Sequence, residues 1–115
     1  MRKVAANRWI KACRSGEYAH GKFALVDSKD KFCILGILCN AAPDEVRGEW
    51  KECADGTWGM FGESEVLPKP IQKWAGMKSN NGELPDGRNL VELNDDKKLT
   101  LRRLANLIEK YWKDL

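Results

Sequence analysis

Cys33 and His20 form the one nucleophile–base pair on offer: His20 is the single histidine, and Cys33 opens an apolar, helix-like run. A thiol at a helix N-terminus has a lowered pKa and is a better nucleophile. His20 precedes Cys33, the reverse of the papain-type order, and no third partner is marked. The plain alternative makes Cys33 a core residue and His20 a polar loop residue beside Gly21. A zinc site from Cys33, Cys39, Cys53 and His20 fails on spacing, since residues six apart on a helix point about 120° away from each other. There is also no C-x-x-C knuckle. The acids Glu92, Asp95 and Asp96 lack both a phosphate loop and calcium-loop spacing. Asn94-Asp95 is better suited to closing a turn before the last helix. The sequence therefore predicts no metal and no cofactor.

A second kind of chemistry is recognition. Arg2, Lys3, Arg8, Lys11 and Arg14 occur with no acid before Glu17. Arg102 and Arg103 occupy the first turn of the predicted last helix, where the dipole disfavours cations. Such a choice points to a partner, because Arg suits phosphates and carboxylates; a solvated helix face is the alternative. Trp50 and Trp58 flank a predicted hairpin turn, and Trp74 ends a short Pro-led helix. Aromatics beside cations stack a base or anchor a protein partner, or else they close a small second core. The expected binding surface is Trp50, Trp58, Trp74, Arg102 and Arg103.

These residues must be positioned by a small set of elements. Ala5, Trp9, Ala12 and Cys13 make one apolar stripe, which predicts a helix over Lys3 to Arg14 stopped by Ser15-Gly16. Lys22 to Val26 reads as a strand, followed by a polar turn. Phe32 to Ala42 reads as a helix, apolar almost all round and central to the core, ending before Pro43. Gly36 inside it marks the close approach of another element. Ala54-Asp55-Gly56 predicts a hairpin between Trp50–Cys53 and Thr57–Met60. Ile71 to Ala75 is a short helix with Pro in its first turn and Gly76 beyond its end. Lys78 to Arg88 is loop, and Asn89 to Leu93 reads as a short strand. Thr100 caps a last helix whose apolar face runs from Leu101 to Leu115. The expected fold is α+β, with three to four helices packed on a small, mainly antiparallel sheet in one domain, residues 1–115.

Composition limits the function classes. Of 115 residues, 20 are Lys or Arg and 17 Asp or Glu, a formal net charge of +3 that does not by itself imply nucleic acid. Five Trp and three patterned apolar segments exclude disorder. The apolar run Cys33 to Cys39 is far short of the ~20 residues of a membrane span. Asn7, Arg8 and Lys11 interrupt any secretory h-region, so the four cysteines are expected to be reduced and Cys13, Cys33 and Cys39 buried.

Five motifs occur in order: Trp9-x-x-Ala12-x-Arg14-Ser15-Gly16-x-Tyr18, Phe32-Cys33-x-Leu35-Gly36-x-Leu38-Cys39, Leu67-Pro68 with Trp74-Ala75-Gly76, Leu90-x-x-Leu93-Asn94-Asp95, and Leu104-Ala105-x-Leu107-Ile108-Glu109. Together they resemble a group of small uncharacterised proteins encoded by bacteriophages and prophages. That resemblance implies a phage context and action in the host cytoplasm, and brings no activity with it. The resulting expectation is a non-enzymatic accessory protein that binds a host protein or a nucleotide-type ligand. A small Cys33-dependent hydrolase or transferase and a weak nucleic-acid binder are the alternatives.

Overall fold

A computed structural model describes all of residues 1–115. Five α-helices carry the chain: α1 (Lys3–Arg14), α2 (Ile34–Ala41), α3 (Lys69–Ala75), α4 (Leu90–Asn94) and α5 (Leu101–Tyr111), with a 3-10 turn over Trp112–Asp114. The only sheet is a hairpin of two-residue strands, β1 (Lys51–Glu52) and β2 (Trp58–Gly59), paired antiparallel with Lys51 opposite Gly59 and Glu52 opposite Trp58. The architecture is one mainly helical globule, and the helices pack on one another rather than on a sheet. No helix is long and apolar enough to cross a membrane.

α1 is the hub, packing on α2 and α5 at once. Its stripe of Ala5, Trp9, Ile10 and Cys13 is buried, and the Trp9 indole Nε1 donates to the Ile34 carbonyl at 2.8 Å. That bond satisfies the polar atom of a fully buried indole while fixing α1 against α2. α2 is buried from Ile34 through Cys39, as an almost uniformly apolar helix must be. The apolar face of α5, Leu104, Ala105 and Ile108, closes the core from the far side of α1. Thr100 caps α5 by accepting the Arg103 N–H, and the helix tightens to 3-10 geometry from Trp112 onward.

Two predicted strands are absent. Lys22 to Val26 is irregular, because Phe23 lies at φ 67° and breaks an extended run. Its amide is held there by the Asp95 carboxylate at 3.1 Å, and only Val26 bridges other segments, at Phe32 and Trp58. Asn89 to Leu93 is not a strand but the start of α4. Asn89 accepts the Glu92 N–H and caps the helix, so the informative signal was Asn followed three residues later by Glu, not the short apolar run. Two boundaries also move. α2 begins at Ile34 with Cys33 as its cap, and α3 begins two residues earlier than Ile71.

The hairpin forms where Ala54-Asp55-Gly56 placed it. Gly56 sits at φ 86°, and Asp55 ties down the return strand by accepting from the Thr57 amide and hydroxyl. All four cysteines are free; Cys13, Cys33 and Cys39 are buried and Cys53 is half-buried.

Candidate functional site: a basic cleft between two helix ends

The C-terminal end of α1 and the N-terminal end of α5 face each other across an open cleft of about 840 Å³. Arg14, Lys22, Lys97 and Arg102 line it, together with His20, Tyr18, Thr100 and Asn106, and no carboxylate does. Arg14 is braced by Glu109, outside the lining, at 3.0 Å and by the lining residue Asn106 at 2.8 Å. The Glu109 hydrogen bond raises the Arg14 guanidinium above its ordinary pKa and lowers that of Glu109. At the mouth, the amides of Leu101 and Arg102 precede the first intrahelical bonds of α5 and take no partner within the chain. Free amides and the positive end of the helix dipole favour an anion there. The unfavourable placement of Arg102 in a first helical turn becomes intelligible, since it adds to a field already positive.

His20 reaches this cleft from a buried polar knot. Asn94, 1% exposed, is the one buried polar side chain of the core. Its Oδ1 accepts the Ile34 N–H at 2.9 Å, and its Nδ2 donates to the Gly21 carbonyl at 3.0 Å. Those two backbone groups fix which end of the amide is oxygen. His20 Nε2, 2.8 Å from the same Oδ1, must therefore be the protonated nitrogen. Asn94 is thus the third partner that the sequence did not mark, but it does not join His20 to Cys33. The Cys33 thiol caps α2, its Sγ accepting the Gly36 N–H at 3.3 Å. It lies against a separate cleft of about 320 Å³, lined by Phe23, Val91 and Asn94 and not by His20.

Burial pushes the Cys33 thiol up to about 11, against the lowering effect of the Gly36 and Leu35 amides. Burial likewise raises Cys13 to about 12 and raises Cys39 further. None of the three is a thiolate near neutral pH. Native protein at pH 7.5 is expected to yield one fast-reacting thiol, Cys53, to an aromatic disulfide reagent, with the other three released only on denaturation; two or more fast thiols would contradict the buried assignment. Cys33→Ala should cost about 1 kcal/mol through loss of the cap, whereas Cys33→Ser, with a hydroxyl able to take the same amide, should melt above Cys33→Ala.

The five residues predicted as one binding surface occupy three places. Trp50 and Trp58 share a pocket with Val26, Asp30 and Phe32. Trp74 is half-buried against the core at the end of α3, and its carbonyl accepts from Arg2. Arg102 lines the basic cleft, while Arg103 turns back to the Lys98 carbonyl at 3.3 Å. Arg14 stood in the basic set of the sequence, but Lys22 and Lys97 carried no local signal. Lys22 follows α1 and Lys97 precedes α5, and both reach one cleft where these helices pack together and Asn94 ties the two segments through His20 and Gly21.

No three His, Cys, Asp or Glu side chains converge as a metal-binding group. Of the acids Glu92, Asp95 and Asp96, Asp95 is engaged by Asn94 and by the Phe23 amide, and Asp96 by the Lys98 amide. Comparison with curated proteins and with solved structures returns no match. One family does match, over residues 1–112, and its description carries neither an activity nor a phage origin. The chain belongs to this family, described as Domain of unknown function (DUF8296).

Proposed function

We propose that the protein is a non-enzymatic binding module whose ligand is an anion, of the phosphate-bearing, nucleotide type, held in the cleft between α1 and α5. The observation that carries this reading is the lining itself: Arg14, Lys22, Lys97 and Arg102 without a single carboxylate, at the open N-terminus of an eleven-residue helix. Arg14 is already paired with Glu109, but Lys22, Lys97 and Arg102 enter no ion pair, and an anion relieves the cost of holding them around one space. The volume, about 840 Å³, is within the range of small-molecule sites. Tyr18 offers an aromatic ring, and Thr100 and Asn106 offer neutral polar contacts that orient a ligand.

The geometry favours binding over a Cys33-dependent hydrolase or transferase. Cys33 and His20 face different clefts, and the thiol is buried and protonated. The phage setting and host-cytoplasmic action implied by the motif resemblance belong to this proposal as its biological context. A host protein that presents a phosphate or carboxylate cluster would use the same cleft.

Titration with ATP and with inorganic pyrophosphate tests the reading. Binding is expected to weaken as salt rises, since the lining cations Arg14, Lys97 and Arg102 are exposed. A Lys22→Glu/Arg102→Glu double variant should keep its melting temperature and lose at least about tenfold in affinity. Failure of either anion to bind at millimolar concentration, or equal binding by the double variant, refutes the cleft. A salt-dependent gel shift with single-stranded nucleic acid, lost in the same variant, would identify a polymer as the preferred anion.

A further inference from the structure

We infer that Trp50, Trp58, Phe32 and Asp30 form an aromatic cage for a methylated ammonium group, a site separate from the basic cleft and independent of it. The pocket measures about 280 Å³ and is lined by these four residues and Val26. Two of its walls are nearly orthogonal: the Phe32 and Trp50 rings stand 5.9 Å apart between centroids at 88°. Val26, also in the lining, ties two of the walls together, since its backbone bridges to Phe32 and to Trp58.

Aromatic faces carry negative charge density and attract a cation within about 6 Å of a ring centroid. A cation that is to enter apolar walls must be weakly hydrated, and methylation of an ammonium achieves that while keeping its charge. The remaining wall supplies the counter-charge. Asp30 is exposed and enters neither of the chain's ion pairs, which are Arg14–Glu109 and Arg88–Asp86. No Lys or Arg lines the pocket. That excludes the ligand of the basic cleft, because a phosphate here would meet a carboxylate and no cation.

The cage is held open before any ligand arrives. The Trp50 indole Nε1 donates to Asn40 Oδ1 at 3.1 Å, and Asn40 in turn donates to the Tyr18 hydroxyl at 2.7 Å. The Trp58 amide donates to the Val26 carbonyl at 2.9 Å. Asp30 sits in the left-handed region, φ 60°, in a turn fixed on both sides, because Asp27 accepts the amides of Lys29 and Lys31. A site whose walls are already positioned loses little entropy on binding.

The group has two sources, a free metabolite such as choline or a trimethylated lysine in a peptide. Titration of the full chain with choline, with a short trimethyl-lysine peptide and with its unmethylated counterpart, followed by tryptophan fluorescence and calorimetry, distinguishes them. At least one methylated probe is expected to bind, at least about tenfold tighter than unmethylated lysine. Asp30→Asn, a surface change, should weaken that probe by about fivefold or more at unchanged melting temperature. Trp58→Ala should abolish binding, and Trp50→Phe should retain part of it. The proposal is overturned if neither methylated probe binds at millimolar concentration, if methylation makes no difference, or if adenosine binds better than both, which would make the pocket a base-stacking site. ATP binding at the basic cleft should be unaffected by Asp30→Asn, so the two sites fail or stand separately.

Discussion

Gly36→Ala is expected to lower the melting temperature by about 15 °C or more, opposite in sign to what helix propensity alone gives. Gly in a helix interior is worse than Ala by about 1 kcal/mol, so an exposed position would gain from the change. Here a Cβ on Gly36 would stand 2.0 Å from the Leu25 carbonyl oxygen and 2.8 Å from its carbon. That carbonyl cannot swing aside, because it accepts the Cys33 amide at 3.0 Å while the Leu25 amide is tied to Ser64 at 2.7 Å. Either α2 moves off the 22–26 segment or the segment loses both bonds. Overpacking against side chains costs about 1–3 kcal/mol, and backbone yields less readily, so about 3–5 kcal/mol is expected. For a domain near this size each kcal/mol moves the midpoint by about 4–8 °C. Thermal melting followed by circular dichroism reads it directly. Gly16→Ala is the contrasting case: unlike Gly36 it sits in the left-handed region, φ 79°, but a Cβ there meets nothing within 4 Å, so the change should cost only about 1 kcal/mol. A Gly36→Ala protein that melts at or above the parent would show that α2 and the 22–26 segment do not touch as described.

The close approach at Gly36 was legible in the sequence, and the reason is instructive. A glycine inside an otherwise apolar helical run has no local justification, so its cause must be tertiary. α1 and α5 were legible for a different reason, because their apolar stripes recur at helical spacing and their ends carry a Ser-Gly stop and a Thr cap. The two false strands show where periodicity gives out. Runs of five residues fit either element, and the decision falls to single atoms: the Asn89 side chain that caps α4, and the Asp95 oxygen that holds Phe23 left-handed. The sites were harder still. Trp50 and Trp58 were expected on one surface and do share a pocket, yet their third wall, Phe32, and their carboxylate, Asp30, come from the far side of α2 in sequence. The basic cleft joins positions 14, 22, 97 and 102, which no local window contains.

Asn94→Ala is expected to be nearly as damaging, and it probes how the cleft is tied to the core. The Asn94 amide makes four hydrogen bonds, receiving from Ile34 N–H and His20 and donating to Gly21 and Asp95. Removing it leaves the first amide of α2 and the Gly21 carbonyl without partners at a site 1% exposed. Each unsatisfied buried group costs about 1–3 kcal/mol, so the sum for two is about 2–6 kcal/mol. Asn94→Asp separates the roles of the two ends of the amide. It preserves an acceptor for Ile34 and His20 but sets a carboxylate beside the Gly21 carbonyl and Asp95, so it should also destabilise, and more at neutral pH than in acid, where protonation restores a donor. His20→Gln keeps a donor to Asn94 and should cost little, whereas His20→Ala leaves Oδ1 with Ile34 alone. Hydrogen exchange at the Ile34 amide is the discriminating readout, because only loss of the Asn94 acceptor exposes it selectively. If Asn94→Ala melts within about 3 °C of the parent, less than 1 kcal/mol for a domain of this size, water has replaced the amide and the knot does not anchor His20 at the cleft.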